Sequence, residues 1–223
     1  MTARHLTVGV LRVLAACSVL VIALGTTTAG PAGASTTRTV VHKLVPWEAN
    51  GTLDPAVTIS ARRTGHCWTG SIAVDNSHVW RCVSGNAIYD PCFGPPDEAH
   101  ATEVVCDPLP WSGATLLRLT AALPLKYADQ YPAKHPSDRV WAFELGNGAR
   151  CSNATGAAEV IKGVVLMYIC TGAGSTAFRD GSAGSLSTSR QPWVVEYVRS
   201  IRFSGTTAEG KLQSTAIAVA WSG

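Results

Sequence analysis

The sequence predicts a mainly β fold: an antiparallel sheet or sandwich-like single domain, stapled by disulfides, with at most one or two short helices. Three observations predict it. Short apolar runs alternate with small polar residues at a period of two, the spacing of strands with one covered face. The 21 glycines and 12 prolines punctuate the chain, and no convincing amphipathic helix stands between them. Finally, the cysteines become an even set once the N-terminal segment is set aside.

That segment reads as a leader. Arg4 and Arg12 supply a positive start, and Val13 to Leu24 is an apolar run of signal-sequence length, too short to span a bilayer. Ala32-Gly33-Ala34 offers the small-x-small pattern of signal-peptidase cleavage, which gives a leader over residues 1–34 and a single secreted domain over 35–223. An alternative is a lipoprotein anchored at Cys17, since Leu14-Ala15-Ala16-Cys17 resembles a lipobox; the apolar run continuing past Cys17 argues against it. The leader carries two of the 18 Lys and Arg and none of the 15 Asp and Glu, so the mature chain is close to neutral. No basic run exceeds Arg62-Arg63, which disfavours nucleic acid as a partner, and no mature segment has membrane-spanning length.

Seven cysteines become six without Cys17, and in an exported chain an even number reads as disulfides. No Cys-x-x-Cys pair or paired Cys/His spacing suggests zinc. Six cysteines allow 15 pairings. The expected set is the local one, Cys67–Cys82, Cys92–Cys106 and Cys151–Cys170, each closing a loop that removes roughly 3 kcal/mol of unfolded-state entropy in the chain-entropy model.

In chain order, residues 35–43 are Thr-rich and read as a frayed lead-in. Glu48 to Gly51 is turn-like, and Val57 to Ala61 alternates as a strand. The busiest stretch, Cys67 to Phe93, concentrates three cysteines, two tryptophans and Tyr89-Asp90-Pro91. Gly94 to Glu98 is a loop. Glu103 to Cys106 is a strand ended by Pro108 and Pro110, and Thr115 to Leu119 is another. Pro124 to Pro136 reads as a surface connection with one helical turn.

Trp141, Phe143 and Leu145 fall on one strand face, and Asn147-Gly148 signals a hairpin with φ > 0 at both positions. Ala157 to Ile161 and Val164 to Cys170 form a second hairpin around Lys162-Gly163, with the return strand expected to be covered on both faces. Thr171 to Arg190 reads as a long loop. Two last strands follow, with Trp193, Val195 and Tyr197 aligned on one face, and Ile217, Val219 and Trp221 on another.

The runs Cys67-Trp68-Thr69-Gly70-Ser71-Ile72, Trp80-Arg81-Cys82 and Ile88-Tyr89-Asp90-Pro91-Cys92-Phe93, with Pro110-Trp111-Ser112 and the closing Ala220-Trp221, resemble a family of uncharacterised exported actinobacterial proteins. The resemblance implies an extracytoplasmic location and one domain. It carries no activity and no catalytic residues to transfer.

Candidate chemistry is sparse. No Gly-x-Ser-x-Gly elbow exists for a serine hydrolase, and His42, His66, His78, His100 and His135 are scattered singly, so neither a metal site nor a cofactor is expected. A carboxylate-pair hydrolase would draw on Glu144 and Glu196, mid-strand beside aromatic positions, with Asp90 as a third candidate. Alternation places both glutamates opposite the aromatic faces, where a solvated outer surface accounts for them. Seven tryptophans are many for such a chain; most read as core packed beside disulfides, with Trp68 and Trp80 the least certain to be buried. Trp68, Arg81, Asn86, Tyr89 and Asp90 form the candidate binding set, because proline holds Asp90 extended and a bridged Cys92 fixes the chain beside it. The reading favoured by export, near-neutral charge and abundant indoles is a non-catalytic cell-envelope or extracellular binding module for glycan or protein. The alternatives are the carboxylate-pair hydrolase and a purely structural surface protein.

Overall fold

A computed structural model describes residues 37–74, 76–128, 140–155, 160–161, 164–165, 167–171, 175–177, 186–198, 202–204, 207–209 and 211–223. The segment expected to be a leader, Cys17 within it, and His135 lie outside the described residues. The structure is built of strands: β1 (Val40–Lys43), β2 (Ile59–Gly70), β3 (Val79–Ser84), β4 (Ala87–Phe93), β5 (Glu103–Leu109), β6 (Gly113–Leu119), β7 (Val140–Leu145), β8 (Arg150–Asn153), β9 (Val160–Ile161), β10 (Val164–Val165), β11 (Tyr168–Thr171), β12 (Ser175–Ala177), β13 (Leu186–Ser187), β14 (Val194–Val198), β15 (Arg202–Ser204), β16 (Thr207–Glu209) and β17 (Leu212–Ser222). Single 3-10 turns at Glu98–His100 and Leu125–Tyr127 are the helical elements among the described residues. None is a helix long and apolar enough to cross a membrane.

Strands β2 to β6 close into a five-stranded barrel, antiparallel except where β2 and β6 meet in parallel. Its interior is filled by Trp80, Val104, Leu117 and the four cysteines 67, 82, 92 and 106. The remaining long strands form an eight-stranded sheet in the order β1-β17-β7-β8-β11-β12-β14-β13. Strand β17 pairs β14 through its first half and β7 through its second, so the sheet curls into a half-barrel. Phe143, Leu145, Tyr168, Val195, Tyr197 and Ile217 pack inside it. A third cluster joins the two halves: Ala73, Val74, Val79 and Phe93 from the barrel side meet Trp141 and Ala142, with Trp47, Leu109, Trp111 and Trp221 against them.

All three expected disulfides are present, and each joins residues directly opposite one another on neighbouring strands: Cys67–Cys82 across β2/β3, Cys92–Cys106 across β4/β5, and Cys151–Cys170 across β8/β11.

Several expectations change in the structure. The lead-in is not frayed over residues 40–43: these pair in parallel with β17, Val40 opposite Val219 and Lys43 opposite Ser222. Strand β5 does not stop before Pro108 but continues to Leu109 through a register shift, where a proline needs no ladder partner. In the β7–β8 turn Gly148 takes φ 81° while Asn147 stays at negative φ. Glu144 pairs Arg150, so the connection is a longer loop ending in a left-handed glycine rather than a two-residue turn.

Strand β11 is covered on one face, since Tyr168 and Cys170 are buried and Ile169 is 58% exposed. The segment expected to be a long loop contributes β12 and β13 to the sheet. A bulge between Ile217 and Val219 breaks the expected alternation, so Ile217 and Ala220 face the core while Val219 and Trp221 are half-buried.

Candidate functional site

Two neighbouring concavities lie where the barrel meets the sheet, and the end of β5 lines both. The larger is a groove of about 620 Å³ lined by His42, Lys43 and Leu44 from β1 and its exit, Thr58 from the approach to β2, Pro108 to Ala114, and Trp221 from β17. Its volume is that of a ligand pocket. Trp111 and Trp221 meet edge to face with centroids 5.3 Å apart, and the His42 imidazole stacks on Trp221 at 6.1 Å. The Arg150 guanidinium lies 5.9 Å from the Trp111 ring centre. The indoles are held here by pairing: β1 beside β17 brings His42 opposite Trp221, and the turn at Gly113, φ 77°, projects Trp111 towards them. A Cβ at Gly113 would lie 2.8 Å from the Thr58 carbonyl, which keeps this turn a glycine.

The smaller cavity, about 100 Å³, is lined by Asp90, Pro91, Asp107, Leu109, Trp141, Ser152, Asn153 and Thr155. It sits between β4 and β5 of the barrel and β7 and β8 of the sheet. Asp90 is 1% exposed, and its carboxylate accepts from the Ser71 hydroxyl and from the Ile72 N–H at 3.1 Å. Arg81 approaches to 3.9 Å and also donates to the Thr155 carbonyl at 2.9 Å, tying the barrel to the segment after β8. Burial outweighs these favourable contacts and pushes Asp90 up to about 6. Asp107 is half-buried and takes φ 46° at the shift in β5. Its carboxyl accepts the backbone N–H of Asp90; burial, with the Asp90 charge added, pushes it up to about 7. The Trp141 indole is 1% exposed, and its N–H has no acceptor among the described residues; the same is true of the Arg81 Nε.

No known family, curated protein or solved structure matches this chain.

Of the five binding candidates, three converge. The Arg81 guanidinium lies 5.7 Å from the ring centre of Trp68, which is 38% exposed, and reaches Asp90 on its other side. Asn86 does not join them, because it occupies the exposed Gly85-Asn86 turn between β3 and β4. Tyr89 lies opposite Cys82 and packs on the barrel core. Trp80, expected to be among the more exposed indoles, is fully buried, and its N–H donates to Glu98 at 3.1 Å.

Glu144 and Glu196 are not brought together. Glu144 pairs with Arg150 at 3.3 Å, and Glu196 lies opposite Ser214. Their neighbours on β17, Val219 and Ser214, are separated by roughly 13–16 Å of strand, wider than the ~5–9.5 Å of a glycosidase pair. The acidic neighbour that the structure gives Asp90 is Asp107. The signal was available in the two Asp-Pro steps beside the bridged cysteines, Asp90-Pro91 just before Cys92 and Asp107-Pro108 just after Cys106. Joining Cys92 to Cys106 across antiparallel strands sets the two Asp-Pro steps side by side. Chemically, the small cavity is of a size for a small polar group.

Proposed function

We propose that the protein is a non-catalytic binding module that holds glycan at the cell envelope or in the medium; its resemblance to exported actinobacterial proteins supports the export alone. The observation that carries this reading is the groove walled by Trp111, Trp221 and His42. Pyranose rings have apolar C–H faces that lie flat on aromatic rings, while their hydroxyls need polar rims. The groove supplies both, with Lys43, Thr58 and Ser112 beside the indoles. Three cross-strand bridges suit a chain that works outside the reducing cytosol.

The test is retention of the full mature chain on insoluble peptidoglycan, chitin and cellulose, with affinity for soluble oligomers followed by tryptophan fluorescence. Trp111→Ala and Trp221→Ala are each expected to weaken binding at least tenfold with the fold intact by circular dichroism. Passage of the unmodified chain through all three matrices, or full retention of the double variant, overturns the proposal.

A further inference from the structure

The groove carries a charge bias as well as its indoles. None of its fourteen lining residues is acidic. The polar side chains among them are His42, Lys43, Thr58 and Ser112, and every other lining side chain is uncharged. Lys43 is exposed, and its ammonium has no ion-pair or hydrogen-bond partner among the described residues. His42, stacked on Trp221, is neutral or cationic and never anionic.

Three acids on adjoining segments are engaged elsewhere. Asp54 accepts the Ala56 N–H at 2.7 Å, Glu144 holds Arg150 at 3.3 Å, and Asp107, which lines the smaller cavity, accepts the Asp90 N–H. Glu144 thereby offsets the Arg150 charge beside Trp111. Lys43 is left as the lining's one permanent charge, without a counter-ion.

These groups sort the glycans that the groove could hold. A cationic amino sugar meets an ammonium with no lining acid to offset it. A neutral sugar is served by Thr58, Ser112 and the indoles and gives Lys43 no partner. A phosphate monoester carries close to two charges at neutral pH and is matched best by guanidinium forks, whereas Arg150 is taken by Glu144. One ammonium matches one carboxylate.

We propose that the groove selects acidic glycans, with Lys43 as the counter-ion of a uronic-acid carboxylate whose ring lies on the indoles. The inference rests on the glycan reading of the groove and narrows it to carboxylated sugars.

The experiment compares β-1,4-linked glucuronic acid hexamer with β-1,4-linked glucose hexamer, which differ only in bearing a carboxylate or a hydroxymethyl on C5. Both are titrated calorimetrically into the full mature chain at about pH 7 and low salt, and the ratio of affinities is the readout. The unmodified chain is expected to favour the acid by at least about threefold, the scale of an exposed ion pair. That preference is expected to vanish at about 1 M salt, where the screening length is about 3 Å. Lys43→Gln is expected to bring the ratio close to one, and Lys43→Glu to reverse it. Lys211→Gln, an equal loss of charge outside the groove lining, is expected to keep the preference. Equal affinities in the unmodified chain, a preference that the folded Lys43 variants retain, or an equal loss in Lys211→Gln overturns the charge selection while the groove stands. Binding of neither oligomer overturns the groove for this glycan class and the selection with it.

Discussion

The backbone N–H of Asp90 donates to the side chain of Asp107, so two acidic residues meet beside the Cys92–Cys106 bridge that holds their strands together. Both carboxyls retain protons to higher pH in the fold than in the open chain. The native state therefore binds more protons than the unfolded state between about pH 4 and pH 7, and stability falls as pH rises through that window. Thermal or denaturant unfolding is expected to show a loss of several kcal/mol between pH 4 and pH 8. Asp107→Ala is expected to flatten this slope; an unchanged slope in that variant contradicts the assignment.

Arg81 bears on the same pair from the other side. Replacing it with Leu leaves Asp90 buried without its cation and cuts the tie to the Thr155 carbonyl. A cost of about 2–4 kcal/mol is expected at pH 8. Because protonation neutralises Asp90, the cost shrinks at pH 5. Paired denaturation curves at the two pH values measure this, and a pH-independent loss would point to packing alone.

Gly65 lies on β2 where a Cβ would run into the Val83 carbonyl and press on Leu117. The obstacle is backbone in a paired strand and cannot swing aside. Gly65→Ala is expected to cost at least about 2 kcal/mol and to lower the midpoint of thermal unfolding by several degrees. Gly51, which meets no atom within 4 Å of an added Cβ but has φ 81°, offers the contrast of a conformational cost without a clash.

The half-barrel depends on one bridge. Replacing Cys151 and Cys170 together with Ala is expected to cost about 3 kcal/mol, read from urea midpoints. Non-reducing peptide maps of that variant are expected to retain Cys67–Cys82 and Cys92–Cys106 unchanged.

Local chemistry was readable from the residues, and long-range assembly was not. The three bridges follow from local loop closure, and the β7–β8 hairpin from Asn147-Gly148, although a bulged loop replaced the tight turn. Strand β1 escaped notice because its pairing partner, Val219 to Ser222, lies at the other end of the chain, and Val40-Val41 alone gives no periodicity. The groove was hidden for the same reason: His42, Trp111 and Trp221 are distant in sequence and meet through strand order. Arg81 and Asp90 stood out because proline and cysteine fix the chain around them. Asp107 needed the bridge partner of Cys92 before its position had meaning. The alternation of Ile217, Val219 and Trp221 failed because a bulge adds a residue that the pattern cannot show.

The sulfurs of Cys82, Cys92 and Cys106 lie within 4.8 Å of one another in the barrel interior, although they belong to two different bridges. During oxidation a thiolate at any of them therefore has a non-native sulfur close by as well as its native mate, and mispairing is expected to concentrate there. Cys151 and Cys170 belong to the other core and are spared this choice. Preparative yield of the native isomer should thus be governed by the barrel half, and a host supplied with a disulfide isomerase is the natural producer.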